Sequence, residues 1–163
     1  SLVSLLVAFA GIAVYISFRY DRRYAFLALV ALAHDVVIVC GIFAWLGLFF
    51  QLEVDSLFAV ALLTIAGYSV NDTVVVFDRI RERTQQGSDL PLSLQVDQAV
   101  STTLTRTLYT SGTTLMPLLA LVFFGGATLY WFAIALAIGV VVGSWSSIAL
   151  APSLLTLWEP QGD

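Results

Sequence analysis

The sequence predicts an all-α membrane protein: a bundle of five transmembrane helices, N-terminus outside and C-terminus cytoplasmic, joined by short connectors. Three observations carry this. Hydrophobic residues make up 60% of the 163 residues and charged ones only 11%, with a mean hydropathy of +0.94. A soluble domain holds roughly 45–50% apolar and about 25% charged residues. The apolar residues fall into five runs, about 2–18, 25–50, 57–77, 108–124 and 129–157, each long enough, or nearly so, to cross a hydrocarbon core of about 30 Å. Finally, all seven basic residues are arginines, and six of them sit in two connectors on one side of these runs.

Each run reads as a helix, because a helix satisfies its own backbone hydrogen bonds in lipid and an open sheet does not. The first run is too uninterrupted for a signal peptide with a charged start. With Ser1 in place of a methionine, the chain reads as a piece of something longer. The whole of it, 1–163, reads as a single transmembrane bundle. The connectors are "RYDRR", "QLEVD", "RIRERTQQGSD" and "GGAT". The third connector leads into a short amphipathic helix around residues 93–104, where Val96, Val100 and Leu104 recur every four residues beside Ala99.

Arg19, Arg22, Arg23, Arg79, Arg81 and Arg83 set the orientation, because the opposite connectors carry only Glu53 and Asp55. The arginine side is cytoplasmic by the positive-inside rule. The tail "WEPQGD" then ends inside. Trp45, Tyr130 and Trp131 fall near outer span ends and Trp158 near an inner one, where aromatic rings suit the interface. On the fifth run Ala135, Gly139, Gly143, Ser147 and Ala151 stand four apart. This stripe lets a neighbouring helix approach closely, inside the bundle or from a separate subunit.

Composition also excludes. A net charge of −4 leaves no basic surface to neutralise nucleic-acid phosphates. Cys40 is a lone thiol in an apolar run, which rules out an internal disulfide or a cysteine metal cluster and suits a small apolar filler. No metal or organic cofactor is expected.

Ionisable groups inside spans are rare and mark function. Here they are His34, Asp35, Asp72 and Arg106, with Asp78 at a span's edge. Asp72 lies 17 residues past Asp55 and Arg106 lies 19 before Gly125, so helical rise puts them about 25 and 28 Å from the outer end. They reach similar depth, and pairing is geometrically open. Thr102, Thr110 and Thr113 share a helical face with Arg106, and Asn71 and Thr73 flank Asp72. Two such polar stripes would line a wet path. Burial favours a neutral carboxyl and a nearby guanidinium favours an ionised one. An acid that moves between two such settings can therefore carry protons as a relay, driven by about 2.3 kcal/mol per charge per 100 mV.

Plainer readings stand beside this one. Arg106 also reads as a snorkelling interfacial anchor, and Asp72 as a helix cap at a kink. Asp78 reads as part of an interfacial ion network with Arg81 and Glu82. His34 and Asp35, some 16–18 Å past Arg23, form a candidate secondary polar site. An aspartyl protease dyad of Asp35 and Asp72 is disfavoured, because Asn71 stands where such enzymes place glycine. A non-enzymatic role is expected. A passive scaffold, with buried charges that only fix helix register, is the remaining alternative.

"ALLTIAGYSVNDTVVVFDRIRER" closely resembles the most recognisable motif of the SecF family of protein-export membrane subunits, which work with SecD. "ALAHDVVIVCGIFAWLGL", "STTLTRTLYTSGTTLMPLLALVFFGG" and "AIGVVVGSWSSIALAPSLL" resemble three further segments in the family's order, covering nearly the whole chain. The resemblance implies the C-terminal bundle of SecF, or of a fused SecD–SecF chain. On this resemblance, the one helix and the outside domain that precede the bundle in the family are expected to lie outside this stretch of sequence. It implies membership of the resistance–nodulation–division superfamily, of which another proton-coupled transporter is the alternative. It also implies a multi-pass place in a bacterial or archaeal cytoplasmic membrane. The implied role is to use the proton motive force, with protons as coupling ion, to help draw preproteins through SecYEG. The family's motif acid and arginine fall on Asp72 and Arg106, and the opposing acid belongs to SecD. Two departures are noted. Ser101, Thr102 and Thr103 replace a more amide-rich stretch, and Pro117 interrupts the fourth run.

Overall fold

The computed structural model describes residues 2–87 and 90–158, so residues 159–163 of the expected cytoplasmic tail lie outside it. The helices are α1 (Leu2–Arg19), α2 (Arg22–Phe50), α3 (Ser56–Gln85), α4 (Leu92–Phe124) and α5 (Gly126–Trp145). A π-helical stretch (Ser146–Leu150) joins α5 to α6 (Ala151–Trp158) as one continuous rod. Among the described residues there is no strand. Four rods are long and apolar enough to cross a membrane: α2, α3, α4 and Gly126–Trp158. The first helix is a shorter apolar one.

The segment around 93–104 is helical as expected, but it is not a separate helix. It forms the first three turns of α4. Pro91 precedes the first turn, and residues 92–111 hold no glycine or proline to stop the hydrogen-bond ladder. Pro117 sits inside the same helix without ending it. The inward stripe also differs from the set Val96, Val100 and Leu104. It is Val96, Ala99, Thr103, Thr107 and Ser111, all buried, whereas Leu104 is 39% exposed.

The connectors have local causes. Asp55 caps α3, its carboxylate accepting from the N–H groups of Leu57 at 2.9 Å and Phe58 at 3.3 Å. The α4–α5 reversal needs both glycines. Gly126 adopts φ +75°, and a Cβ on Gly125 would overlap the Leu121 carbonyl.

The core has three tiers. One apolar cluster, toward the arginine-bearing end, includes Ile16, Leu27, Ala31, Phe77, Ile80, Ala99 and Leu155. The other includes Val39, Phe43, Ala61, Ile65, Leu118, Ala135 and Val140. Buried polar residues stand between the two clusters in chain order on α2 (Asp35), on α4 (Thr107 and Ser111) and on the last rod (Ser144, Ser146 and Ser147). On α3 the buried polar residues Ser69, Asp72 and Thr73 alternate with Ala66, Val70 and Val76 of the first cluster, so the polar tier reaches into that apolar layer. Cys40 is half-buried against the second cluster.

Asp78 joins an interfacial network, but not with Arg81 and Glu82. It faces Arg19 at 3.5 Å and accepts from the Tyr20 hydroxyl at 2.9 Å. Arg79 pairs with Glu82 instead. Tyr20 sits in the connector between α1 and α2, and burial first, then its bond to Asp78, pushes its phenol well up. A phenol raised in this way stabilises the fold at neutral pH. That contribution is lost as pH climbs from the ordinary tyrosine value through the raised one. Tyr20→Phe is expected to lower stability by about 1 kcal/mol, since Asp78 is partly solvated. Thermal unfolding in detergent, with the parent's alkaline decline reduced in the variant, checks this.

Candidate functional site

Asp72 belongs to the middle tier. It is 4% exposed, and among the described residues its Oδ2 has no hydrogen-bond partner. The neighbouring Thr73 Oγ1 is likewise buried without one. Such atoms are rare in native interiors and ask for an explanation. The Arg106 guanidinium and the Ser144 hydroxyl act on the Asp72 carboxyl electrostatically. No ion pair within 4.0 Å joins Asp72 to Arg106 among the described residues. Arg106 instead lines an open groove between α3 and α4 with Val75, Asp78, Arg79, Glu82 and Thr102. The acid is enclosed, whereas the arginine is exposed and lines a polar groove.

A chain of hydroxyls lies in the same tier. Ser144 Oγ lies 2.5 Å from Ser111 Oγ, which lies 3.1 Å from the Tyr68 hydroxyl. Ser144 also reaches the Val140 carbonyl at 2.7 Å and Ser111 the Thr107 carbonyl at 2.7 Å. Each hydroxyl has a single proton to donate. Both serines cannot donate to their backbone carbonyls and also hydrogen-bond each other, so one proton must turn toward its partner. The chain can therefore be polarised in either direction.

The second acid is fully satisfied. Asp35 is 0% exposed. Its Oδ2 accepts from Ser69 Oγ at 2.5 Å and Ser146 Oγ at 2.7 Å, and its Oδ1 lies 3.0 Å from His34 Nδ1. Asp72 is not among these partners.

The structure brings Asp72 and Thr73 into the interior and leaves Asn71, Thr102, Arg106 and Thr113 on exposed faces, with Thr110 half-buried. Core-facing positions of α4 fall one residue later, on Thr103, Thr107 and Ser111. Gly139, Gly143 and Ser147 are buried on the inner face of α5 and its π-helical extension. A Cβ on Gly139 would overlap Ile65, and one on Gly143 would lie 3.3 Å from the Ser69 Cβ. Sequence reasoning did not single out Tyr68, Ser111, Ser144 or Ser146. The available signal was a hydroxyl every four residues at 103, 107 and 111, and the polar triplet around Trp145 in an otherwise apolar run. Among the described residues no cluster of metal-ligating side chains occurs.

Comparison with known proteins agrees along the whole chain. A family model described as "Protein export membrane protein SecD/SecF, C-terminal" matches residues 1–161. The chain is 73% identical over 157 residues to the protein translocase subunit SecF of Prochlorococcus marinus, covering 96% of this chain and 49% of that protein. It is 42% identical over 159 residues to the protein translocase subunit SecDF of Thermus thermophilus, covering 98% of this chain and 21% of that one. A crystal structure of SecDF in a super-membrane-facing form superposes with a TM-score of 0.86 at 44% identity. That match covers 94% of this chain and 20% of the other. The chain spans about half the length of the SecF relative it matches. Matched over residues 1–161 by the family model, this multi-pass helical membrane protein belongs to the SecD/SecF C-terminal family.

Proposed function

We propose that this bundle is the proton-coupled part of a SecF subunit, which acts with SecD to assist translocation of preproteins through SecYEG. SecF and SecDF are named as translocase subunits in the relatives, and the SecDF chain that carries this region supports SecD as the partner. The arginine connectors face the cytoplasm of a bacterial or archaeal membrane. The bundle is not an enzyme, and protons are its coupling ion, as in other members of the resistance–nodulation–division superfamily.

One observation carries the proton reading. Asp72 is an enclosed acid with an oxygen that lacks a hydrogen bond, acted on by Arg106, which lines a polar groove, and by Ser144, which belongs to a polarisable hydroxyl chain. A carboxyl that only fixed helix register would have its donors in place, as Asp35 does. An acid with an unfilled acceptor gains from exchanging partners, and two conformations need differ by only a few kcal/mol for a membrane potential to bias them.

The test is proton flux through vesicles that hold the full-length protein assembled with SecD. Asp72→Asn is expected to lower flux by about a hundredfold while leaving assembly unchanged. Flux equal to the parent's would leave Asp72 without a relay role.

A further inference from the structure

We propose that Asp35 is a positioning residue for the Asp72 site: its carboxylate ties α2 to α3 and to the π-helical stretch, and so sets the two segments that flank Asp72. The proposal rests on the proton-coupling reading above.

A single oxygen, Oδ2, makes both ties. It holds Ser69 of α3 at 2.5 Å and Ser146, the first residue of the π-helical stretch, at 2.7 Å. Hydrogen bonds to a carboxylate in a buried, low-dielectric layer are stronger than neutral ones. Both tied serines neighbour the site. Ser69 lies three residues before Asp72, one turn away on the same side of α3. Ser146 lies two residues past Ser144, the hydroxyl that acts on Asp72.

The π-helical stretch itself needs a local cause, because its wide turn is rare outside functional segments. Here the Ala151 N–H reaches back to the Ser146 carbonyl, five residues away. The Ser146 hydroxyl has two acceptors within reach, Asp35 Oδ2 and the Gly143 carbonyl at 3.1 Å. Choosing Asp35 pulls the start of the wide turn toward α2. Gly143 permits this approach, since a Cβ there would already touch Ser69 and lie 3.6 Å from Asp35 Oδ2. Without the carboxylate, Ser146 falls back on its own helix, and Ser69 loses its acceptor. Ser144 then shifts with the rod that carries it, and the hydroxyl chain to Ser111 shifts with Ser144.

The charged or titratable groups that face these acids are few. Among the described residues, His34 stands beside Asp35 on α2, Tyr68 of α3 ends the hydroxyl chain, Arg106 of α4 acts on Asp72 through its charge, and α5 and the π-helical stretch present hydroxyls. Asp35 thus acts through Ser69 and Ser146 on a site it does not touch.

The experiment measures proton flux over a pH series in vesicles holding the full-length protein with SecD, alongside the amount of assembled complex. Asp35→Asn keeps the shape and removes the charge. At equal assembly it is expected to lower flux by about tenfold and to displace the pH of half-maximal flux. Ser146→Ala, which removes one tie and little volume, is expected to displace the same midpoint less. If Asp35→Asn fails to assemble, Ser146→Ala decides alone: a displaced midpoint supports the proposal and the parent profile overturns it. A parent-like flux and midpoint in Asp35→Asn also overturns it. Should Asp72→Asn keep parent flux, the proton reading itself fails. Should Asp72→Asn lose flux while Asp35→Asn keeps it, only the positioning role fails.

Discussion

Substituting Gly139 by leucine is expected to abolish assembly of the bundle. Its Cα faces Ile65, a side chain 1% exposed in the second apolar cluster. Even a single Cβ there would overlap three carbons of that isoleucine. Ile65 has no free space to retreat into, because Val39, Ala61 and Ala135 fill the same layer. In lipid no hydrophobic force drives helices together, so close approach at small residues supplies much of the association. Overpacking a tight core costs typically about 1–3 kcal/mol per small insertion. Gly139→Ala is therefore expected to lower thermal stability in detergent by about that amount, and Gly139→Leu to leave no monodisperse protein. Ile65→Val alone should cost about 1 kcal/mol by lost packing. Combined with Gly139→Ala, it should restore part of the loss, because it removes one of the overlapping carbons. A double variant no better than the sum of its parts would show that α3 and α5 are not in close contact at this point.

Replacing Arg106 by glutamine is expected to lower proton-driven transport by about a hundredfold, as Asp72→Asn does. The two substitutions together should do no more harm than Asp72→Asn alone. Groups that work as a unit are not additive, whereas distant independent groups are. Arg106→Lys should recover part of the activity, since it keeps the charge but not the planar fork. Flux through vesicles and growth-independent export assays, read side by side, check the series. This cycle separates the proton reading from the anchor reading. An arginine that only snorkels to the interface would give parent-like flux as glutamine, and its loss would add to that of Asp72→Asn. Its present place lining the groove, without an ion pair to Asp72, makes the cycle informative. It asks whether the two groups work together even though they are not bonded in this conformation.

Much of the architecture was legible in the chain, and the reasons are local. Run length alone marks a span, so the helical class and the long rods follow from hydropathy. Pro91 and the Gly125–Gly126 pair mark boundaries through their own backbone chemistry, and Asp55 through its capping carboxylate. Buried acids stand out against an apolar background, so Asp72 and Asp35 were visible as candidates. The amphipathic segment was legible as a helix but not as part of α4, because nothing in a hydropathy pattern distinguishes a surface-lying helix from the first turns of a longer one.

Which residues face inward was another matter. A spacing of four on α4 marks Thr102, Arg106, Thr110 and Thr113 as one stripe, and equally marks Thr103, Thr107 and Ser111 as another. Only the second lies in the core. In water, hydropathy would distinguish the two, since one face of a helix is wet. In lipid both faces of a span can be apolar, and the rotation of a helix about its axis is set by which side fits its neighbours. Here that fit is decided by Gly139 against Ile65 and Gly143 against Ser69, contacts between residues more than seventy positions apart. Composition, run length and motifs were enough for the helical class, the family and the two buried acids. That Asp35 has its donors and Asp72 lacks one emerged only from the packed bundle, because a hydrogen bond between helices depends on their mutual rotation, and that is fixed by packing across the whole bundle.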